Sequence, residues 1–219
     1  MARARTPESS SQDGRVRAVI EVVEPEIDAG TFPAKAVAGD PFQVECDAFA
    51  DGYDVVRWVL RWRTDGQRKW REVEMEALPN DRWRSSFTPA EPGRCIYGLE
   101  AWIDRFGSWL RDLHKLVDAG QDVTVDLEIG ARLVAERAGT VPAKDGERLR
   151  RAAASMRAAA AADRAEAGVR DAAHGRAEAG ALAELLVILD AEVLPLMHRY
   201  DPRDFATRYP PRARGGGGP

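Results

Sequence analysis

The chain changes its hydrophobic period once, near Phe106, and that change limits what it can fold into. From residue 15 to about 104, apolar residues recur at every second position, as in half-buried strands; beyond it they recur at helical spacing. Strands first and helices second imply an α+β chain. They exclude a TIM-type barrel, which alternates strand and helix over about 250 residues.

In the first part, Val16, Ala18, Ile20 and Val22 alternate with Arg15, Arg17, Val19 and Glu21, and Phe42, Val44, Cys46 and Ala48 alternate with Gln43, Glu45 and Asp47. "VVRWVLRWR" puts Val56, Trp58, Leu60 and Trp62 on one face and Arg57, Val59, Arg61 and Arg63 on the other. Asp65-Gly66 then turns the chain, two short strands flank Pro79-Asn80-Asp81, and "RCIYGLEAWID" supplies another strand. This spacing predicts a β-sandwich over 15–106. Cys46, Trp58 and Cys95 follow the order of an immunoglobulin domain, but Tyr97 comes after the second cysteine, where the tyrosine-corner residue should precede it. The two cysteines are therefore expected to be buried, unbridged thiols.

In the second part, Gly107-Ser108 opens a helix with Leu110, Leu113, Leu116 and Val117 in one stripe, ending near Gly120. A second helix carries Val123, Leu127, Ala131 and Val134. Pro142 introduces an alanine-rich stretch over about 143–174, which Gly168 and Gly175 weaken. A last helix holds Leu182, Leu185, Leu186, Leu189, Val193 and Leu194, with Pro195 expected to kink or end it. Together these predict a helical bundle over 107–200. Residues 1–14 read as a disordered leader, and 201–219 as a return segment with a glycine-rich tail.

A net charge of -4 offers no bulk attraction to nucleic acid or anionic lipid. No run approaches the ~20 apolar residues of a membrane span, and the N-terminus lacks the apolar core of a secretory signal. The expectation is a cytoplasmic protein that binds neither nucleic acid nor membrane. No phosphate-binding glycine loop, zinc-protease or serine-hydrolase motif occurs. His114, His174 and His198 are far apart and lack metal-ligand spacing, so no metal or cofactor is expected. Asp104 with Asp112, or Asp122 with Asp126, are carboxylate pairs. Glycoside chemistry, however, needs two such groups facing each other across about 5–9 Å, and spacing along one element does not supply that. They read as capping or solvated charges, and no catalytic residue is assigned. Trp83, Trp102 and Trp109 leave two readings open: packing, or a stacking platform for sugars.

"EVVEPEIDAGTFPAKAVAGDPFQVECDAFADGYDVV", "MEALPNDRWRSSFTP", "EAWIDRFGSWLRDLHKLVDAGQDV" and "LMHRYDPRDFATRYP" occur in this order along nearly the whole chain. With them the chain resembles the N-terminal region of bacterial α-1,4-glucan:maltose-1-phosphate maltosyltransferases, enzymes of the α-amylase clan. The resemblance implies a fibronectin-like sandwich interrupted by an inserted helical bundle, both contributing to a homodimer interface. It also implies a following (β/α)₈ barrel that moves maltosyl units from maltose 1-phosphate onto glycogen-like glucans, using an aspartate nucleophile and a glutamate acid/base. No residue here matches those positions. After "TRYPP" the family pattern expects an apolar strand and then the barrel. "RARGGGGP" is expected to form that strand poorly, leaving a sandwich edge unpaired, and it reads as a cut ahead of the barrel. Three roles follow: an assembly module of a maltosyltransferase, a glucan-binding module, or a free-standing domain whose bundle binds another protein.

Overall fold

The computed structural model describes residues 16–27, 32–166 and 174–217, and side chains outside 163–179. The expected leader over 1–14, Gly168 and the side chain of His174 lie outside the described residues. The described residues are mixed α+β. Those up to Ile103, with those from Arg203 onward, form one compact unit; Asp104–Pro202 form a second.

The first unit is made of two sheets. The smaller takes the order β1-β3-β7-β6, from Ala18–Glu24 (β1), Phe42–Ala50 (β3), Arg82–Phe87 (β7) and Glu76–Ala77 (β6). The larger takes the order β2-β10-β8-β4-β5, from Ala34–Val37 (β2), Arg212–Gly217 (β10), Cys95–Ile103 (β8), Val56–Thr64 (β4) and Arg71–Glu74 (β5); Thr207–Arg208 (β9) also pairs with β8. The backbone of the larger sheet is the antiparallel β4–β8 ladder, in register from Val56↔Ile103 to Thr64↔Cys95. The alternation read from the sequence holds there: Trp58, Leu60 and Trp62 point into the core and meet Phe42, Val44 and Cys46 from β3. Rings from the two sheets touch across it, Phe42 with Tyr97 at 5.3 Å and Trp62 stacked on Phe87 at 4.7 Å between centroids. Cys46 and Cys95 are buried and unbridged, and burial pushes the Cys46 thiol up to about 12.

The glycine-rich tail departs from expectation. "RARGGG" is strand β10, antiparallel to β8 over Arg212↔Tyr97 to Arg214↔Cys95 and parallel to β2 over Arg214↔Ala34 to Gly217↔Val37. The physical reason is that a strand with neighbours on both sides is held by backbone N–H and C=O groups, which glycine carries as fully as any residue. Side chains fix only its beginning: the Arg214 guanidinium donates to the Val37 carbonyl at 2.7 Å. Ahead of it, the Tyr209 N–H donates to the Leu99 carbonyl at 2.9 Å. Pro211 crosses β8 at Gly98, where an added Cβ would lie 3.3 Å from the Tyr209 carbonyl oxygen.

The second unit contains Arg105–Asp118 (α1), Thr124–Ala138 (α2), Ala143–Glu166 (α3), His174–Ile188 (α4), a wider π turn over Leu189–Val193, and Leu194–Arg199 (α5). α1 starts two residues earlier than the Gly107-Ser108 signal suggests, because the Asp104 carboxylate caps it, accepting from the Gly107 N–H at 2.8 Å. Leu110, Leu113, Leu127, Val134, Leu149, Met156 and Leu189 form its core. Pro195 does not end the last helical run, which continues to Arg199. In the π turn ahead of it, the Leu194 N–H reaches back to the Leu189 carbonyl, and this wider turn makes room for a residue that has no N–H of its own.

Candidate functional site: a buried carboxylate on the larger sheet

Alternation along β4 and β8 sends a second set of side chains away from the core. Arg57, Val59, Arg61 and Arg63 leave β4 on that side, and Glu100 and Trp102 leave β8. The β4–β5 register, Val59↔Glu74 and Arg61↔Glu72, adds two more carboxylates to the same face. Glu100 is only 1% exposed, so its charge must be matched locally. Arg61 and Arg203 each reach its Oε2 at 3.0 Å, and Arg208 donates from Nε to Oε1 at 2.8 Å. Arg203 also grips Glu72 with two parallel hydrogen bonds of 2.8 and 2.6 Å, the strongest geometry available to a guanidinium and a carboxylate.

Trp102 lies beneath this layer, with the guanidinium carbons of Arg203 and Arg57 at 4.3 and 5.3 Å from its ring centroid. Trp70 is flanked in the same way by Arg61 at 5.0 Å and Arg63 at 4.9 Å. Hydrogen bonding from Arg203 holds the Glu72 carboxyl below its usual range against the opposing effect of burial, and Glu72 in turn raises Arg203. The arrangement fixes charges in place. Both Glu100 oxygens accept from arginines, and two of these, Arg203 and Arg208, fasten the return segment to β8.

The three tryptophans singled out from the sequence lie on three elements, Trp83 on β7, Trp102 on β8 and Trp109 on α1. Trp83 lies against Trp58 in a tilted pair, 5.2 Å between centroids, and donates its indole N–H to the Ala48 carbonyl at 2.9 Å. Trp102 is buried as described. Trp109 donates to the Asp126 carbonyl at 2.8 Å and lies beside Phe106 at 5.2 Å. Of the carboxylate pairs, Asp104 caps α1, Asp112 is bonded by Arg111 and Lys115, and Asp122 accepts from the Thr124 N–H at 2.8 Å. His114 and His198 each gain an aspartate that sequence spacing does not show, Asp190 at 3.0 Å and Asp104 at 2.7 Å. Among the described residues no three His, Cys, Asp or Glu side chains are grouped to hold a metal ion, and no helix is long and apolar enough to cross a membrane. Sequence reasoning missed Glu100, Arg203 and Arg208. The available signal was a lone glutamate in the otherwise apolar strand "CIYGLEAWI" and the arginines of "DPRDFATRYP".

A family model described as α-1,4-glucan:maltose-1-phosphate maltosyltransferase, domain N/S, matches residues 16–214. Proteins of that name are similar in sequence: one from Chlorobaculum tepidum is 47% identical over 61% of this chain and 20% of its own length. One from Myxococcus xanthus is 44% identical over 52% and 18%, and a second enzyme of that name from Streptomyces coelicolor is 34% identical over 67% and 22%. The chain thus spans about a fifth of the length of these relatives. By that match it belongs to the α-1,4-glucan:maltose-1-phosphate maltosyltransferase family, as its domain N/S.

Proposed function

We propose that this chain is a non-catalytic assembly module of a cytoplasmic maltosyltransferase that extends α-1,4-glucans from maltose 1-phosphate. In this reading it is a fibronectin- or immunoglobulin-like sandwich over 15–106, with the helices of 107–200 inserted before the return segment from 201 onward closes it. Chemistry belongs to a barrel elsewhere in the polypeptide, and the two parts of this module pair subunits into a homodimer. Trp83, Trp102 and Trp109 serve packing.

The observation that supports this best is the state of the most buried carboxylate cluster in the first unit. Glu100 and Glu72 are both held by arginines, which suits a clasp and not a proton donor. The test is to incubate the purified chain with maltose 1-phosphate and a maltooligosaccharide and to measure its mass by sedimentation equilibrium. The expected result is a dimer with no phosphate release above a protein-free control. Turnover, or a monomer at every concentration, overturns the reading.

A further inference from the structure

The π turn ahead of Pro195 also shapes a cleft. Its hydrogen bond runs from the Leu194 N–H to the Leu189 carbonyl, five residues back, so side chains five apart come to one side of the helix. An ordinary helical turn would set them well apart. Ile188 at the end of α4, Glu192 and Val193 in the turn, and Leu196 in α5 thereby share one wall of a cleft of about 220 Å³. The opposite wall is α3, where Arg148, Arg151, Ala152 and Ser155 follow one another at spacings of a single helix face. Both walls belong to the second unit. Single π turns inside α-helices are found mostly at functional sites, where they re-aim side chains.

The floor and the rim differ in chemistry. Ala152, Val193 and Leu196 form a buried apolar floor, and Ile188 beside them is left 44% exposed, so an apolar occupant would take further apolar surface out of water. On the rim, Arg148 is paired with Glu192 at 3.3 Å, and those two charges cancel. Arg151 has no ion-pair partner among the described residues, and the Ser155 hydroxyl stands one turn further along α3. The cleft therefore offers one unmatched guanidinium, whose forked donors fit a carboxylate, and one hydroxyl, above an apolar floor. A dianion such as a phosphate ester would bring its second charge against the Glu192 carboxylate. A neutral molecule would cover Arg151 without matching its charge. The volume lies below the ~300–1,000 Å³ usual for pockets that hold drug-sized ligands, so the occupant is short. We propose that this cleft binds a small organic monocarboxylate, with its carboxylate on Arg151 and Ser155 and its apolar body against Ile188, Val193 and Leu196.

The test is an NMR titration of the isotope-labelled full chain with hexanoate, hexanol and inorganic phosphate at neutral pH. The expected result with hexanoate is saturable shifts of the backbone amides of 148–155 and 188–196. Arg151→Gln should raise the dissociation constant about tenfold, the worth of one charge-assisted contact. Ile188→Ser should raise it as well; both side chains reach solvent, and unchanged amide shifts elsewhere in the spectrum verify that the variants stay folded. Hexanol and phosphate should each bind more weakly than hexanoate. Absence of saturable shifts with hexanoate overturns the proposal. So does hexanol bound equally well, which would make the cleft merely apolar, or phosphate bound more tightly, which would make it an inorganic anion site. Undiminished affinity in Arg151→Gln overturns it too. Binding here is independent of turnover and of dimer mass, on which the assembly reading rests.

Discussion

The Trp109 ring fills the space that a side chain at Gly130 would need: a Cβ built on Gly130 would fall 2.0 Å from the Trp109 Cζ2. The α1–α2 contact is therefore made by a large ring seated on bare backbone, with its indole N–H bonded to the Asp126 carbonyl one turn earlier in α2. Gly130→Ala has no room without displacing the ring, although alanine is the better helix former. The expected outcome is a loss of about 1–3 kcal/mol in urea denaturation, where helix propensity alone would predict a gain.

Glu100→Gln keeps the shape of the side chain and removes the charge that three arginines share. Breaking a buried ion network by removing one member costs about 3–5 kcal/mol, because the remaining charges are left unmatched. Arg208→Ala removes the most exposed of the three arginines, at 67%, and is expected to change stability by less than about 1 kcal/mol. Chemical denaturation of the two variants side by side checks the contrast.

The Glu72 carboxyl is held below its ordinary value of 4.5 by its hydrogen bonds from Arg203. A group depressed in the folded state contributes stability above its unfolded value and loses it as pH falls through the folded one. Midpoints of thermal unfolding should therefore fall as pH drops below 4.5, and more steeply in the unaltered protein than in Glu72→Gln, which has no such proton to bind. Parallel curves for the two proteins would remove Glu72 as a cause.

Arg214 is fully buried, and its Nε and Nη1 have no hydrogen-bond partner among the described residues; only Nη2 is used, on the Val37 carbonyl. Arg214→Met keeps the length of the side chain without the unmet donors. The expected effect on thermal stability is neutral to stabilising by about 1–3 kcal/mol, although a charged residue and one hydrogen bond are lost.

What was legible in the sequence is what local periodicity encodes. "VVRWVLRWR" names its own inner and outer faces, and the leucine stripe of α1 names its buried side, because both depend on neighbours two to four residues apart. The clasp on the larger sheet was not legible: Glu100 meets Arg61 and Arg203 from far along the chain on either side, and no pattern within one element relates them. The tail was misread for a different reason. Glycine content measures how weakly side chains favour a strand, whereas β10 is placed by the backbone groups of β2 and β8. The π turn before Pro195 was hidden as well, since proline signals a strained helix without saying that a wider turn will absorb it.

The sheet order has a temporal consequence. β2 joins its sheet through β10, a strand near the other end of the chain, and β10 also borders β8. Such pairings between distant segments form late, after the loop between them has been closed. While a ribosome is still making the helices, β2 and one edge of β8 have emerged with their ladder groups unmatched, a state that invites pairing with other nascent chains. The latch on this unit is made after the helices, and its glycines, which add little apolar side chain of their own, let it slide between two waiting strands without offering a sticky strand of its own beforehand.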